Sequence, residues 1–265
     1  LKKNREKLLS RLRKGTYKSS PIRQIEILKT NGGKRKIGIP AVIGRTLQQA
    51  INQVLQPIFE IEFSDNSFGF RLKCSAQMVI IEAKAYYEQG YRYVVDMMKA
   101  YFETINHDKM MYLIGKKVKD KQVLCLIRHY LMSRIMKNGL IHPSAQETSQ
   151  DSNLSPLLSN IYLNEFDQFL ESRGHKFVRY ADDCNIYIRS KRAGRRVMSK
   201  AVKFLEGDLK LTVNREKSAV GSPLKRKFLG FCILPTKKGV KIRSHMKAKV
   251  SVKKKLKRIT KHNRS

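Results

Sequence analysis

The run Phe177-Val178-Arg179-Tyr180-Ala181-Asp182-Asp183-Cys184-Asn185-Ile186-Tyr187-Ile188 constrains the fold more than any other stretch of the chain. Two segments rich in β-branched and aromatic residues flank a short polar centre, the pattern of two strands joined by a tight connection. It predicts a hairpin with two carboxylates at its tip. Successive side chains on a strand point to opposite faces, so Asp182 and Asp183 reach one site only if the turn bends the backbone there. Taken alone the pair has two readings, a solvated turn and a functional acid cluster, and the rest of the chain has to separate them.

Charge narrows the class of partner. Lys and Arg number 56 against 21 Asp and Glu, a net charge of +35 carried along the whole chain. Such an excess repels itself unless a polyanion is present. Nucleic acid is the expected partner, because Lys and Arg contacts to phosphate release counterions and supply most non-specific affinity. A membrane surface is the competing reading; no apolar run approaches the roughly 20 residues that span a bilayer and no signal peptide opens the chain, so no membrane partner is expected. With 265 residues and 41% hydrophobic content, the chain can bury a sizeable core. Cys74, Cys125, Cys184 and Cys232 form no C-x-x-C pair, which argues against zinc and predicts buried free thiols in a reducing, cytoplasmic compartment.

Leu1, Leu8, Leu9 and Leu12 among Lys and Arg predict a basic amphipathic helix over 1–14, either a solvated surface helix or an RNA-contacting arm. The alternation from Ser20 to Lys29, the Asn31-Gly32-Gly33 turn and Ile37-Gly38-Ile39-Pro40 predict a hairpin. Lys34, Arg35 and Lys36 just past its turn are either plain surface or a grip for a triphosphate or template backbone. Apolar residues at spacings of three and four predict helices from Ile43 to about Pro57, after a cap at Ser75, and over Val118–Leu131. Tyr91 to Val95 reads as a buried strand ending at Asp96, a place where a carboxylate can either open to a cleft or cap a helix. Ser155-Pro156 predicts a capped helix start after the polar loop 149–154. Beyond the acidic hairpin, the sequence predicts a helix through Val197, Ala201, Val202 and Leu205. Strands at Leu209–Asn214 and Phe228–Phe231 and a basic helix over Met246–Lys261 follow. Alternating strands and helices place the chain in the α/β or α+β class.

The strings Ile39-Pro40, Gln48-Gln49-Ala50, Ser67-Phe68-Gly69-Phe70-Arg71, Ile105-Asn106-His107-Asp108-Lys109, Leu154-Ser155-Pro156-Leu157-Leu158-Ser159-Asn160 and Tyr180-Ala181-Asp182-Asp183 occur in that order. Over about residues 17–234 the chain resembles the fingers and palm of group II intron-encoded reverse transcriptases and maturases. The resemblance implies a right-hand polymerase fold, with an antiparallel palm sheet packed on helices. It implies fingers over 1–90, palm over 91–234 with part of the fingers inserted at about 108–150, and the start of a thumb-like region over 235–265. It also implies RNA-directed DNA polymerase activity together with binding of intron RNA to assist splicing, the alternative being an RNA-binding maturase without polymerase chemistry. Asp96, Asp182 and Asp183 would hold two Mg²⁺ ions, which hard oxygen ligands suit. Lys34, Arg35, Lys36 and Arg71 would neutralise the triphosphate, Tyr101 would gate the sugar, and Gln150 would touch the incoming nucleotide. Lys217 would sit near the pyrophosphate as an acid. Implied partners are intron and template RNA, a DNA primer strand and dNTP substrates; monomer and homodimer stay equally open.

Two departures from the family pattern stand out. Where the family has Pro-Gln-Gly-Gly, this chain has Ser149-Gln150-Asp151-Ser152, which removes backbone freedom and adds a negative charge. Counting forward from Val94-Val95 puts the family's metal-binding aspartate at Asp96, whereas counting back from Ile105-Asn106-His107 puts it at Met97. A one-residue slip on a strand turns a side chain to the other face.

Overall fold

Helical periodicity near the start gives α1 (Arg5–Arg13), which buries no residue, and the alternation after Pro21 gives β1 (Ile22–Leu28), paired antiparallel with β2 (Lys34–Ile39). The computed structural model describes residues 5–28, 34–98, 105–133, 135–137, 140–142, 152–216, 218–224, 226–237 and 239–261. Further along come α2 (Val42–Glu60), α3 (Ala76–Glu88), β3 (Tyr93–Met98), α4 (His107–Gly115), α5 (Lys121–Leu131), β4 (Ile135–Lys137) and β5 (Leu140–His142). The second half carries α6 (Ser155–Glu171), β6 (Lys176–Tyr180), β7 (Asp183–Ile188), α7 (Lys191–Lys203), β8 (Ala219–Gly221), β9 (Phe231–Thr236), β10 (Gly239–Ser244) and α8 (Met246–Lys261). These elements fall into two compact units.

The first unit comprises Leu1–Ser64, Lys99–Gln168 and Phe204–Thr212. Its sheet runs β2-β1-β4-β5, with β4 parallel to β1 and antiparallel to β5. α2 buries Gln48, Leu55 and Phe59 and runs through Pro57 to Glu60, beyond the end expected at Pro57. Pro57 lacks the N–H that would donate to the Gln53 carbonyl and its ring crowds that carbonyl, yet the helix continues three residues beyond it. α4 is a helix that periodicity did not single out; it starts at Asn106, whose Oδ1 accepts from the Lys109 N–H at 2.8 Å. α5 begins later than Val118, because Asp120 caps it through the N–H groups of Gln122 and Val123. α6 starts at Ser155 itself, whose N–H donates to Ser152 Oγ at 3.1 Å, so the capping hydroxyl belongs to Ser152 and not, as expected, to Ser155. The buried Tyr162 hydroxyl donates to Leu209 O at 2.6 Å, and burial pushes its pKa up to about 12.

The second unit comprises Asp65–Met98, Phe169–Lys203 and Val213–Ser265. Its sheet, β6-β7-β3-β8, is antiparallel throughout. Opposed residues share a face, so the register places Val94, Asp96, Val178, Asn185 and Tyr187 on one side. Val94, Val178 and Tyr187 pack there in one buried cluster with Val79, Ile80 and Ala83 of α3 and with Phe228 and Ile233. On the other side Val95 faces α7 across Gly194. Both faces being covered, β7 is buried from Cys184 to Ile188, as its continuous apolar run requires.

Three strand expectations are corrected. β3 extends from Tyr93 to Met98, so Asp96 lies within the strand and not at its end. Leu209, Leu211 and Val213 alternate into the interior as expected, but 209–214 form no strand and β8 follows only at Ala219. Phe228 and Phe231 bridge each other around a turn with positive φ at Leu229 and Gly230, and β9 begins where the expected strand ended. All four cysteines are free thiols, but of the expected buried set only Cys184 is buried; Cys74 and Cys232 are partly exposed and Cys125 is exposed.

Replacing Tyr162 by Phe strands the buried Leu209 carbonyl, and about 1–2 kcal/mol of stability should be lost. Urea denaturation of the two proteins would measure it, and equal midpoints would remove this bond from the account of the first unit.

Candidate active site

The acidic hairpin is real: β6 and β7 pair from Lys176↔Tyr187 to Tyr180↔Asp183, leaving Ala181 and Asp182 as a two-residue connection. Such connections need positive φ at their first position, and Ala181 supplies it at φ 55. An L-residue with a Cβ holds that conformation at a cost of roughly 1–2 kcal/mol, so the surroundings must enforce it. They do so through the loop that precedes α3. The Phe68 N–H donates to Arg179 O at 2.9 Å and the Arg179 N–H donates to Asn66 O at 2.8 Å, with Ser67 bridging Arg179 in parallel. The Arg179 side chain is fully buried and its Nη1 donates to Ala181 O at 2.9 Å. Gly69 lies flat on the turn, where a Cβ would overlap the backbone nitrogen of Ala181. Asn66 is held in turn, accepting from the Tyr86 hydroxyl at 2.9 Å and donating to Glu171 Oε1 at 3.2 Å. Asp182 and Asp183 are left half-buried at the tip.

Register resolves the position of the third carboxylate. Asp96 opposes Asn185 and Met97 opposes Cys184. Asp183 and Asn185 lie on one face of β7, so Asp96 shares the face of Asp183, while Met97, fully buried, takes the opposite face. Asp96 is nevertheless two rungs behind Asp183, a diagonal separation of roughly 7–8 Å between such positions. Its Oδ2 lies 3.5 Å from Arg226 Nη1, with the carboxylate side chain only 15% exposed. Burial raises the Asp96 pKa, and the Arg226 charge opposes that rise without cancelling it. Among the described residues, no three His, Cys, Asp or Glu side chains are grouped so as to hold a metal ion. The oxygen chemistry of the three aspartates suits Mg²⁺, but as they stand the set does not fit a two-ion site.

Of the remaining expected residues, Arg71 belongs to the loop on the hairpin, its Nη1 donating to Ser67 O at 2.8 Å. Lys34, Arg35 and Lys36 lie on β2, in register with Leu28, Ile27 and Glu26 of β1. Tyr101, Gln150 and Lys217 lie outside the described residues. Four contributors were not expected. Gly69 sits inside a string that the sequence did mark, and Arg179 is a basic residue within a buried apolar run, a signal in itself. Asn185 carries no local mark, and Arg226 reaches Asp96 from 130 residues away.

Residues 27–233 match the family described as reverse transcriptase (RNA-dependent DNA polymerase). The chain belongs to that family. It is 29% identical to Protein YkfC of Escherichia coli (strain K12), over 82% of this chain and 66% of that protein. It is 34% identical to the group II intron-encoded protein LtrA of Lactococcus lactis subsp. cremoris, over 66% of this chain and 29% of LtrA. The putative COX1/OXI3 intron 2 protein of Saccharomyces cerevisiae is 31% identical over 63% of this chain and 20% of its own length. The chain thus spans less than two thirds of these relatives. A telomerase from Candida Tropicalis, solved with a fragment of telomeric RNA, superposes with a TM-score of 0.63 at 16% identity, covering 89% of this chain and 48% of that one. That likeness speaks to fold, and the mixed helix and sheet class with an antiparallel palm-type sheet agrees with it.

Two outcomes follow for this reverse transcriptase palm. Gly69→Ala forces the hairpin turn and the loop apart, with an expected loss of about 1–3 kcal/mol in chemical denaturation; an unchanged midpoint would mean that the turn accommodates the methyl group. For Asp96 the folded pKa is above the unfolded one, so its contribution is fully present below the unfolded pKa and is lost as pH rises through the folded value. Asp96→Asn should therefore melt higher than the parent at neutral pH, and the gap should close as pH falls to about 4. Melting curves over that range test the sign, and a gap that widens on acidification contradicts it.

Proposed function

We propose that this chain is the RNA-binding and DNA-synthesising part of a group II intron-encoded protein, which binds intron RNA to assist splicing and copies an RNA template from a DNA primer with dNTP substrates. The observation that carries the reading is the acidic tip at Asp182-Asp183, presented on a strained turn that a buried arginine and a glycine contact hold in place. Strain kept at a polar tip is what a site requires and what an ornamental turn would shed. Membership of the reverse transcriptase family and the intron-encoded relatives support the same reading. The net charge of +35 supports a polyanionic partner, and a reducing intracellular setting suits the four free thiols.

The chemistry proposed for this chain's own residues is limited to what they hold. Arg179 and Gly69 orient the tip, Asp182 and Asp183 offer hard oxygen ligands at it, and basic side chains supply phosphate affinity. One observation favours the second reading, a maturase that binds RNA without polymerising: Asp96 is engaged by Arg226 and set two rungs back from Asp183.

Primer extension by the full-length protein on an RNA template separates the two. Extension that Asp182→Asn abolishes is expected for the first reading, and extension indifferent to that change removes the acidic tip from the chemistry. RNA affinity should fall steeply with salt, with a log–log slope of roughly −0.7 for each single-stranded phosphate contact, and a flat dependence would count against both readings.

A further inference from the structure

Arg226 belongs to none of the strings that the sequence marked. It follows β8, and its N–H closes a turn onto Ser222 O at 3.2 Å. From there its side chain crosses Gly221, where an added Cβ would stand 3.2 Å from Nε, 3.6 Å from Cγ and 4.0 Å from Cδ. Gly221 opposes Val94, two residues before Asp96 on β3, so the missing side chain leaves a trough that leads the guanidinium to the carboxylate. Across the rung from Asp96, Asn185 is 3% exposed and its Oδ1 has no hydrogen-bond partner. Asn185 and Arg226 line one small cavity with Tyr187, Phe228 and Ile233. One face of the sheet therefore carries an anionic acceptor held by one cation and, on the same rung, a buried neutral acceptor without a partner.

The contact between Arg226 and Asp96 is loose. At 3.5 Å and through one nitrogen, it is longer than the roughly 2.7–2.9 Å of a strong charge-assisted bond. An arginine held mainly by charge neutralises the acid and can still be displaced.

We propose that Arg226 is a built-in counter-cation that stands in the place of a divalent metal at Asp96, so that an ion reaches Asp96 only when the guanidinium leaves its trough over Gly221. Asp96, Asn185 Oδ1 and, further along the same face, Asp183 then supply the oxygen donors that a Mg²⁺-sized ion takes. The inference rests on Asp96 as a palm carboxylate and is independent of whether the protein copies RNA.

Mn²⁺ binding to the full chain, followed by the loss of the free-ion electron paramagnetic resonance signal, tests it without an activity readout. Arg226→Met is expected to bind Mn²⁺ at least about tenfold more tightly than the parent, since a fixed positive charge beside the site has been removed. Adding Asp96→Asn should abolish the gain, and Arg226→Lys, which keeps the charge, should show little of it. Gly221→Val, which fills the trough and displaces the guanidinium without altering either charged group, carries the same expectation and serves where Arg226→Met does not fold. Unchanged or weaker binding in a folded variant overturns the proposal, and so does a gain that survives Asp96→Asn. Failure of primer extension leaves this result untouched, which keeps the two readings separable.

Discussion

The contact between Gly69 and the turn at Ala181 is the constraint on which the second unit depends. Backbone meets backbone there with no side chain between, and that closeness lets the Phe68 and Arg179 peptide groups exchange hydrogen bonds with the neighbouring chain. Arg179 completes the arrangement by donating to the carbonyl of the residue that carries the strain. A tight turn with a Cβ in the positive-φ region would relax in isolation. Fastened on one side by the loop and from within by a buried cation, it holds its two carboxylates in a fixed orientation.

Parity along a strand governs the rest of the site. A sheet has a period of two, so one residue more or less in β3 decides whether an acid or a methionine faces the same way as Asp183. Pairing Asp96 with Asn185 gives the acid that face and buries Met97 on the other. The same pairing sets Asp96 back from the tip and brings it under Arg226. Position on the correct face and availability to an ion are thus separate properties: this chain has the first, and a guanidinium stands against the carboxylate.

Much of this was legible in the residues. The run Phe177–Ile188 showed its hairpin because two buried strands around a two-residue turn leave an unmistakable composition, and the helices α2, α3 and α7 showed their apolar stripes. Errors arose where local signals competed. The alternation of Leu209, Leu211 and Val213 reports burial, which an irregular segment achieves as well as a strand. Ser155 resembled a cap because a proline followed it, yet the hydroxyl that accepts the first N–H is three residues earlier. α4 was missed because nine residues are too few for a clear helical period.

The sequence by itself determined the acidic hairpin, the basic character, the family strings and hence the kind of chemistry open to this protein, because each of these is written in residues adjacent along the chain. Only the tertiary structure decided that Gly69 lies against Ala181, that Asp96 and not Met97 shares the face of Asp183, and that Arg226 answers Asp96 from 130 residues away. Those are contacts between segments whose separation along the chain carries no record of their distance in space. Register, burial and the reach of a side chain exist only once the strands have paired.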